Sequence, residues 1–358
     1  MARRTDTARW SRLPLIHRAR GYRLYGAEGR RYIDFYQDGG RALLGHRPAG
    51  WTRIVKSTGN RGLFASYPSR FAGKARRAAL SLFPWAEDAH IFPDFRTALS
   101  ALSERGTGEP AADAESAAGG GQAPGGDPAT WGAPAIGAVP MFRSADVLTS
   151  AYEELRDPMT VPLLRPFGPG WEAENGESSE AEKESADRVR SGAWGRWLLP
   201  LLPIPGGIGG AVILELAGGD YERGTEPGGN RMQGEGDISP LSEELMLRAM
   251  ADLSRFMQET DAERWRLFDL PGFERRGPYL LFRPRAHEDA LIEAVDPGEG
   301  SSLDASDVRE YNNLFKTMLQ RGVLLPPNPA VPAIIPGEYS DGEVQPLIQE
   351  SRRRYADS

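Results

Sequence analysis

The most strongly patterned stretch of this chain spans residues 21–46 and reads GYRLYGAEGRRYIDFYQDGGRALLGH. Side chains alternate around Tyr22 and Leu24, a GAEG turn follows at 26–29, and a second alternating run covers residues 32–35. Alternation on both sides of a glycine-containing turn is typical of a β-hairpin, because glycine readily adopts the positive φ of tight turns. The stretch therefore predicts a hairpin followed by a glycine-rich corner.

Further along the chain, helical and extended patterns follow one another. Apolar residues at helical spacing predict four helices: 70–83 with Ser69 as its N-cap, 240–258 with Pro240 near its start, 307–321 stopped by Gly322, and a last helix after Asp341. Short apolar runs predict strands at 209–216 and 277–284. This mixture indicates an α/β or α+β fold.

Four tracts between these elements are rich in glycine, proline or acidic residues. They cover residues 106–135, 168–192, 218–237 and 296–307. Such compositions do not bury enough apolar surface to offset chain entropy. We expect them to be disordered or to form long surface loops.

Composition limits the kinds of partner and chemistry. The chain has 358 residues, 40% hydrophobic content and a net charge of −7, which suits a real core and disfavours nucleic acid as a partner. It contains no cysteine, so disulfides and thiolate sites are excluded. Its four histidines, His17, His46, His90 and His287, are widely spaced, and we predict no metal site.

The same composition bears on location. The basic start, MARRTDTARWSRLP, carries no apolar segment of the kind a secretory signal needs. No apolar run approaches the length of a membrane span; the longest, WLLPLLPIP, is interrupted by prolines. We therefore expect no membrane insertion, and the cytoplasm is the expected compartment.

Both ends of the chain resemble one enzyme family. The matching residues of the first segment are Gly29, Arg30, Tyr32, Ile33, Asp34, Leu44, Gly45, His46 and Pro48. This segment resembles the N-terminal region of class III, fold-type I aminotransferases, which use pyridoxal phosphate, and is most similar to glutamate-1-semialdehyde aminomutases. The segment YNNLFKTMLQRGVLLPPNP at 311–329 resembles the family's C-terminal region.

The resemblance implies a fold and a division of the chain. The fold is an α/β, fold-type I arrangement with a mixed sheet and flanking helices in a reduced large domain, plus a smaller α+β domain built from both chain ends. We place an N-terminal hairpin and helix packing with the C-terminal domain at 1–85, the reduced large domain at 86–258, and the small domain at 259–358.

Pyridoxal-phosphate chemistry needs a lysine that forms an imine with the coenzyme. The chain has four lysines, Lys56, Lys74, Lys183 and Lys316. The first two precede the predicted large domain, Lys183 lies in an acidic tract, and Lys316 lies on the polar side of a predicted helix. All four are expected to be solvated surface lysines, so we assign no catalytic residue.

The other cofactor contacts are also altered. Where the family has a small-residue phosphate cradle, this chain has PDFRT at 93–97, and Asp94 is better explained as a helix cap. Asp269 falls where the family carries the aspartate on the pyridine nitrogen in one register, and is an ordinary loop carboxylate in another. Residues 205–212 are either a loop that precedes the strand, or they match a family strand that places Glu215 at a glutamate position.

These departures lead to two functional hypotheses. The first is a non-catalytic relative of the aminotransferases that has lost pyridoxal phosphate and acts as an association or ligand-binding scaffold, as a homo- or heterodimer with an aminotransferase-like subunit. The second is an active pyridoxal-phosphate aminotransferase or aminomutase that acts on an amino acid or amino-aldehyde. An unrelated binding domain is a third alternative.

Overall fold

The computed structural model describes residues 13–95, 97–98, 101–102, 163–167, 197–204, 209–216, 232, 234–283, 305–329 and 331–355. Two of the predicted flexible tracts, 106–135 and 168–192, lie outside the described residues, and so does most of the other two. Among the helices that the structure describes, none is both long enough and apolar enough to cross a membrane.

The predicted hairpin forms the centre of the first sheet. Its strands are β1 (Ile16–Arg20), β2 (Arg23–Gly26), β3 (Arg31–Asp34) and β10 (Val323–Leu324), in the order β1-β2-β3-β10. The strands β2 and β3 are antiparallel and meet through the turn at 27–30, which confirms the hairpin. The strand β10 from near the other end of the chain pairs with β3 in parallel.

Both chain ends build one α+β unit around this sheet. The other elements are the 3-10 helix Ala262–Phe268, β8 (Phe273–Arg276), β9 (Tyr279–Phe282), α4 (Ala305–Gln320), β11 (Ala333–Ile334) and α5 (Asp341–Tyr355). The strands β11, β9 and β8 form a second sheet in that order. Tyr32 and Phe35 of the hairpin share an apolar cluster with Leu314 and Met318 of α4 and Leu347 of α5. This packing confirms the small domain built from both ends.

A third sheet is mixed. It contains β4 (Ala86–Phe92), β5 (Leu163–Leu164), β6 (Trp197–Pro200) and β7 (Ala211–Leu216), in the order β4-β7-β6-β5. The strand β5 runs parallel to β6, and the other pairs are antiparallel. All six residues of β7 are buried, as its continuous apolar run predicts.

The two faces of this sheet carry different residues because strand side chains alternate in direction. The face that bears Ala89, Val212 and Leu214 packs against α2 (Ala72–Leu82) and α3 (Pro240–Glu259). The opposite face bears Phe92 and Ile213, and it is also where His90 and Glu215 meet. The polar pair is therefore separated from the helices by the sheet itself.

The helix boundaries agree with the sequence except at one cap. The prediction of 240–258 is confirmed by α3, which Ser239 caps by accepting the Ser242 N–H. The helix predicted at 70–83 begins at Ala72, and its N-cap position is Phe71. The prediction of Ser69 as N-cap is wrong, because the Ser69 hydroxyl accepts the Phe71 N–H before the helix begins and also contacts Glu243.

One helix was not expected from the sequence, α1 (Trp51–Asn60), and its buried residues are Trp51 and Thr58. The helix α2 packs against α3 and β4, so its apolar stripe contributes to the core of the third sheet. The division of the chain at residues 85 and 258 remains a prediction.

Candidate functional site

The lysines are the first residues to place, because an imine with a coenzyme needs a primary amine in a protected site. Lys56 in α1, Lys74 in α2 and Lys316 in α4 are all exposed to solvent. These three agree with the expected surface lysines, and Lys316 lies on the polar side of its helix, as the sequence predicts. Lys183 lies outside the described residues. The described part of the chain therefore offers no amine in its interior.

The segment 93–97 is engaged in its own local hydrogen bonds. The Pro93 carbonyl accepts the Gly210 N–H at 2.5 Å, which ties this segment to the start of β7. Asp94 Oδ1 accepts the backbone N–H of Thr97 at 2.8 Å and its hydroxyl at 3.2 Å. Residues 95, 97 and 98 are helical, so Asp94 caps the start of that segment, as the sequence predicts. The Thr97 N–H, which would face a phosphate in a cradle, is already bonded to a carboxylate.

Two side chains further limit this segment. Phe95 is buried, and the Arg41 guanidinium carbon lies 5.4 Å from the centre of its ring. The ring occupies space that a small residue would leave open for a ligand. The side chain of Arg96, the remaining basic group of the segment, lies outside the described residues.

Asp269 lies at the end of the 3-10 helix, in the loop before β8. Its side chain is 57% exposed, and its Oδ1 atom accepts a hydrogen bond from Arg275 Nε at 2.5 Å. Asp269 and Arg275 therefore form an ordinary surface ion pair. Its assignment as a cofactor contact remains a prediction.

The corner after the hairpin contains the longest run of positive φ angles in the described chain. Four consecutive residues have positive φ: Gln37 at 48°, Asp38 at 51°, Gly39 at 67° and Gly40 at 109°. Non-glycine residues rarely adopt this conformation, and such outliers cluster at functional sites and tight turns.

A buried arginine fills the space behind this corner. Arg165 follows β5 and donates from Nη1 to the Gly39 carbonyl at 2.6 Å. Its guanidinium lies 5.7 Å from the ring of Tyr279 in β9, whose hydroxyl donates to the Pro166 carbonyl. Burial lowers the pKa of Arg165 to about 10. Arg165 thus links the corner, the mixed sheet and the small domain.

Asp34 and His46 hold the corner from its other side. Asp34 is buried, and its Oδ1 atom accepts the N–H groups of Tyr36 and Gln37 at 2.8 and 3.0 Å. Its Oδ2 atom lies 2.7 Å from His46 Nε2. These two residues belong to the motif that carries the family resemblance, and here they fix the backbone between β3 and α1.

The structure also brings together residues that the sequence left apart. His90 lies between Glu215 of β7 and Glu235, with ring-nitrogen to carboxylate-oxygen distances of 3.3 and 3.0 Å. Spacing along the chain does not show this contact, because His90 and Glu215 come from strands far apart in sequence. The one local signal is the alternation of Asp88 and His90 in a strand, together with a glutamate in an otherwise apolar strand.

Sequence comparisons give a short match and no family. No family model matches the chain. An uncharacterized protein of Borreliella burgdorferi is 42% identical over 80 residues, which is 22% of this chain and 30% of that protein. The match therefore spans less than a third of the relative's length, and it assigns no function to the whole protein.

Solved structures match over almost the whole chain. An ornithine δ-aminotransferase of Plasmodium falciparum gives a TM-score of 0.54 at 12% identity, covering 100% of both chains. An omega-transaminase from Sphaerobacter thermophilus gives 0.57 at 14% identity, covering 96% of this chain and 92% of that one.

A glutamate-1-semialdehyde aminomutase from Pseudomonas aeruginosa gives a TM-score of 0.52 at 17% identity, covering 95% of this chain and 87% of that one. The chain has the fold of the fold-type I pyridoxal-phosphate aminotransferases, as the sequence predicts. At these identities the likeness concerns the fold.

Proposed function

We propose that this protein is a non-catalytic relative of the class III aminotransferases. In this proposal it keeps the aminotransferase scaffold and acts by association with an aminotransferase-like subunit, a second copy or a different chain, or by binding a small ligand. It does not hold pyridoxal phosphate as an imine. The cytoplasm is the compartment we propose, and nucleic acid and membrane are not among the proposed partners.

The observation that carries this proposal is the placement of the lysines. An imine to the coenzyme needs an amine that is held, desolvated and unprotonated at the reacting carbon. Lys56, Lys74 and Lys316 are exposed on helix surfaces, where the amine is hydrated and its side chain is free to rotate. Exposed lysines of this kind do not provide such a site.

The surrounding residues support the same conclusion. The Thr97 N–H is bonded to Asp94, and Phe95 fills the adjoining space. An aspartate beside a dianionic phosphate would also repel it. The described residues at these positions therefore do not fit pyridoxal phosphate, and we derive no reaction step through it.

The fold favours a second candidate function, an active pyridoxal-phosphate aminotransferase or aminomutase acting on an amino acid or amino-aldehyde. The likeness to an ornithine aminotransferase and a glutamate-1-semialdehyde aminomutase is what supports it. Within this chain, Lys183 is the one lysine that the description of the structure leaves open. It is therefore the residue that separates the two candidates.

Reductive trapping tests the proposal directly. The purified full-length chain is incubated with pyridoxal phosphate and reduced with borohydride, and the adducts are located by peptide mass spectrometry. We expect substoichiometric labelling scattered over exposed lysines, with no internal-aldimine absorbance band. The matched control is Lys183→Ala, which we expect to leave the labelling pattern at the other lysines unchanged.

The opposite outcome is equally clear. One equivalent of adduct confined to Lys183, with an aldimine band that disappears in Lys183→Ala, would establish the active-enzyme candidate and overturn the proposal. A stoichiometric adduct confined to any other single lysine would overturn it as well.

A further inference from the structure

The face of the mixed sheet that is turned away from α2 and α3 carries a cluster of one histidine and three carboxylates. The antiparallel register of β4 and β7 places Asp88 directly opposite Glu215, and His90 two residues further on the same face. Glu235 approaches from the segment before α3. The cluster thus joins two paired strands and a third segment of the chain.

The ligand atoms of this cluster are close enough to share one ion. One donor atom each from Asp88, His90 and Glu215 lie within 4.8 Å of one another. The side chains of His90 and Glu215 are only 5% and 8% exposed, so both are held almost entirely away from solvent. Two strands fix all three positions, which limits how far the donors can move apart.

The distance within this pair is compatible with shared coordination of one ion. His90 Nε2 and Glu215 Oε2 lie 3.3 Å apart. That is long for a hydrogen bond between these atom types, which centre at ~2.9 Å. Two ligands of a tetrahedral zinc ion, each bound at about 2.0–2.1 Å, lie roughly 3.4 Å apart. The two atoms form a long hydrogen bond here, and their separation also lets both bind one ion.

The other ring nitrogen has the partner that metal-binding histidines need. Glu235 Oε2 lies 3.0 Å from His90 Nδ1 and also accepts the Met232 N–H at 2.9 Å. A carboxylate on the far nitrogen fixes the tautomer and turns Nε2 toward the metal. The Trp197 ring packs edge-on against the His90 imidazole, with 5.8 Å between the two ring centres, and restrains its orientation.

We propose that Asp88, His90 and Glu215 together bind one divalent transition-metal ion, with zinc as the best fit. One imidazole and two carboxylates form a mixed nitrogen and oxygen donor set that suits zinc better than magnesium. Three protein ligands leave a fourth position for water or a small ligand. This site does not depend on the proposed non-catalytic role.

Two donors already use one of these ligands. Asp88 Oδ1 accepts from Arg76 Nε at 2.6 Å and from the Ala89 N–H, so the metal shares that carboxylate with them.

Metal titration of the wild-type chain tests the site. The full-length protein is stripped with a chelator and titrated with ZnCl₂ by calorimetry, and its melting temperature is recorded with and without metal. We expect one equivalent of bound zinc and a rise in melting temperature of about 5 °C when zinc exceeds its Kd a hundredfold. Millimolar MgCl₂ should produce no shift.

Variants then locate the bound ion. His90→Gln and Glu215→Gln should each weaken zinc binding at least tenfold, and Glu235→Gln should weaken it by about 10- to 100-fold through the lost orientation of the ring. The matched control is His46→Gln, because His46 pairs with Asp34 next to the first sheet, and we expect unchanged zinc affinity.

The proposal is overturned if the wild-type chain binds no zinc, or if His90→Gln binds it as tightly as the wild type. Should the variants fail to fold by circular dichroism, X-ray absorption of the zinc-loaded wild type decides. One imidazole with oxygen ligands supports the site, and any other histidine count contradicts it.

Discussion

Glu343 connects the last helix to the first hairpin. At the start of α5 its carboxylate accepts the Ser340 N–H and hydroxyl, each at 2.9 Å, which is the glutamate half of a capping box. The same carboxylate binds Arg23 of β2 through two hydrogen bonds of 2.7 and 2.8 Å. One side chain thus caps a helix and joins residues 320 positions apart in the chain.

We expect Glu343→Gln to lower the free energy of unfolding by about 2 kcal/mol at pH 7, as for hydrogen bonds to a charged group. The hydrogen bonds with Arg23, partly opposed by burial, lower the pKa of Glu343 to about 2 in the folded chain. A lowered carboxyl pKa contributes stability above the unfolded value, near 4.5, and loses it as the pH falls toward 2. The difference between wild type and variant should therefore shrink over that window, as measured by urea unfolding.

Glu338 provides the matched control for this prediction. Its carboxylate also contacts Arg23, at 3.2 Å, but its side chain is 75% exposed. We expect Glu338→Gln to change stability by at most roughly 0.5 kcal/mol, because exposed ion pairs contribute little. Equal losses in both variants would contradict the role assigned to Glu343.

At the scale of the element, the corner at 37–40 depends on contacts from both sides. Gln37 is buried, and its amide donates to the Ile334 carbonyl of β11 at 3.0 Å. Arg165 holds the Gly39 carbonyl from the mixed sheet. These contacts hold the turn from both sides, so its unfavourable positive φ angles persist.

Gly40→Ala tests how tightly this corner is packed. A methyl group at Gly40 would lie 2.7 Å from Leu201 Cδ2 and 3.1 Å from Arg165 Nη1, at a φ of +109°. We expect a loss of about 2–4 kcal/mol in unfolding free energy from overpacking and backbone strain together. Chemical denaturation monitored by tryptophan fluorescence measures it.

The neighbouring glycine separates the two causes. A methyl group at Gly39 meets no atom within 4 Å, although its φ is +67°. Gly39→Ala should therefore cost only the left-handed backbone preference, about 1 kcal/mol. A loss in Gly39→Ala equal to that in Gly40→Ala would show that the backbone alone, and not packing, limits the corner.

At the scale of the whole molecule, two apolar clusters both include residues of the second sheet and of the segment that follows the hairpin. One cluster lies between the mixed sheet and the helices α2 and α3, and it also includes Leu43 and Ile334. The other joins the hairpin to α4 and α5. The segment from the hairpin to α1 contributes to both, so it couples the two parts of the molecule.

The proposed association predicts a solution mass of twice the 39.2 kDa of one chain. Phe64 and Tyr67, between α1 and α2, are 61% and 66% exposed. Burying such large apolar side chains under a second chain lowers the free energy of the assembly. We expect the double variant Phe64→Ser/Tyr67→Ser to shift the mass toward the monomer in light scattering. Leu267→Ser, which changes an exposed residue of the 3-10 helix, should leave the mass unchanged. A monomeric wild type at all concentrations would contradict the proposed self-association.

The elements of this fold were accessible from sequence because they depend on neighbours along the chain. Alternation around Tyr22 and Leu24 predicted the hairpin, and the apolar stripe of residues 240–258 predicted its helix. The same periodicity placed Lys316 on a solvent-exposed helix side. Interactions over three or four residues decide these features, and a single sequence displays them directly.

The tertiary structure alone decided which distant residues meet. His90 and Glu215 are 125 positions apart, and the antiparallel register of β4 and β7 brings them together. The ties from Arg165 to Gly39 and from Arg23 to Glu343 likewise depend on how separate elements pack. Many strand pairings differ little in local energy, so no local pattern specifies the order or register of the strands. The summed packing of the whole core sets both.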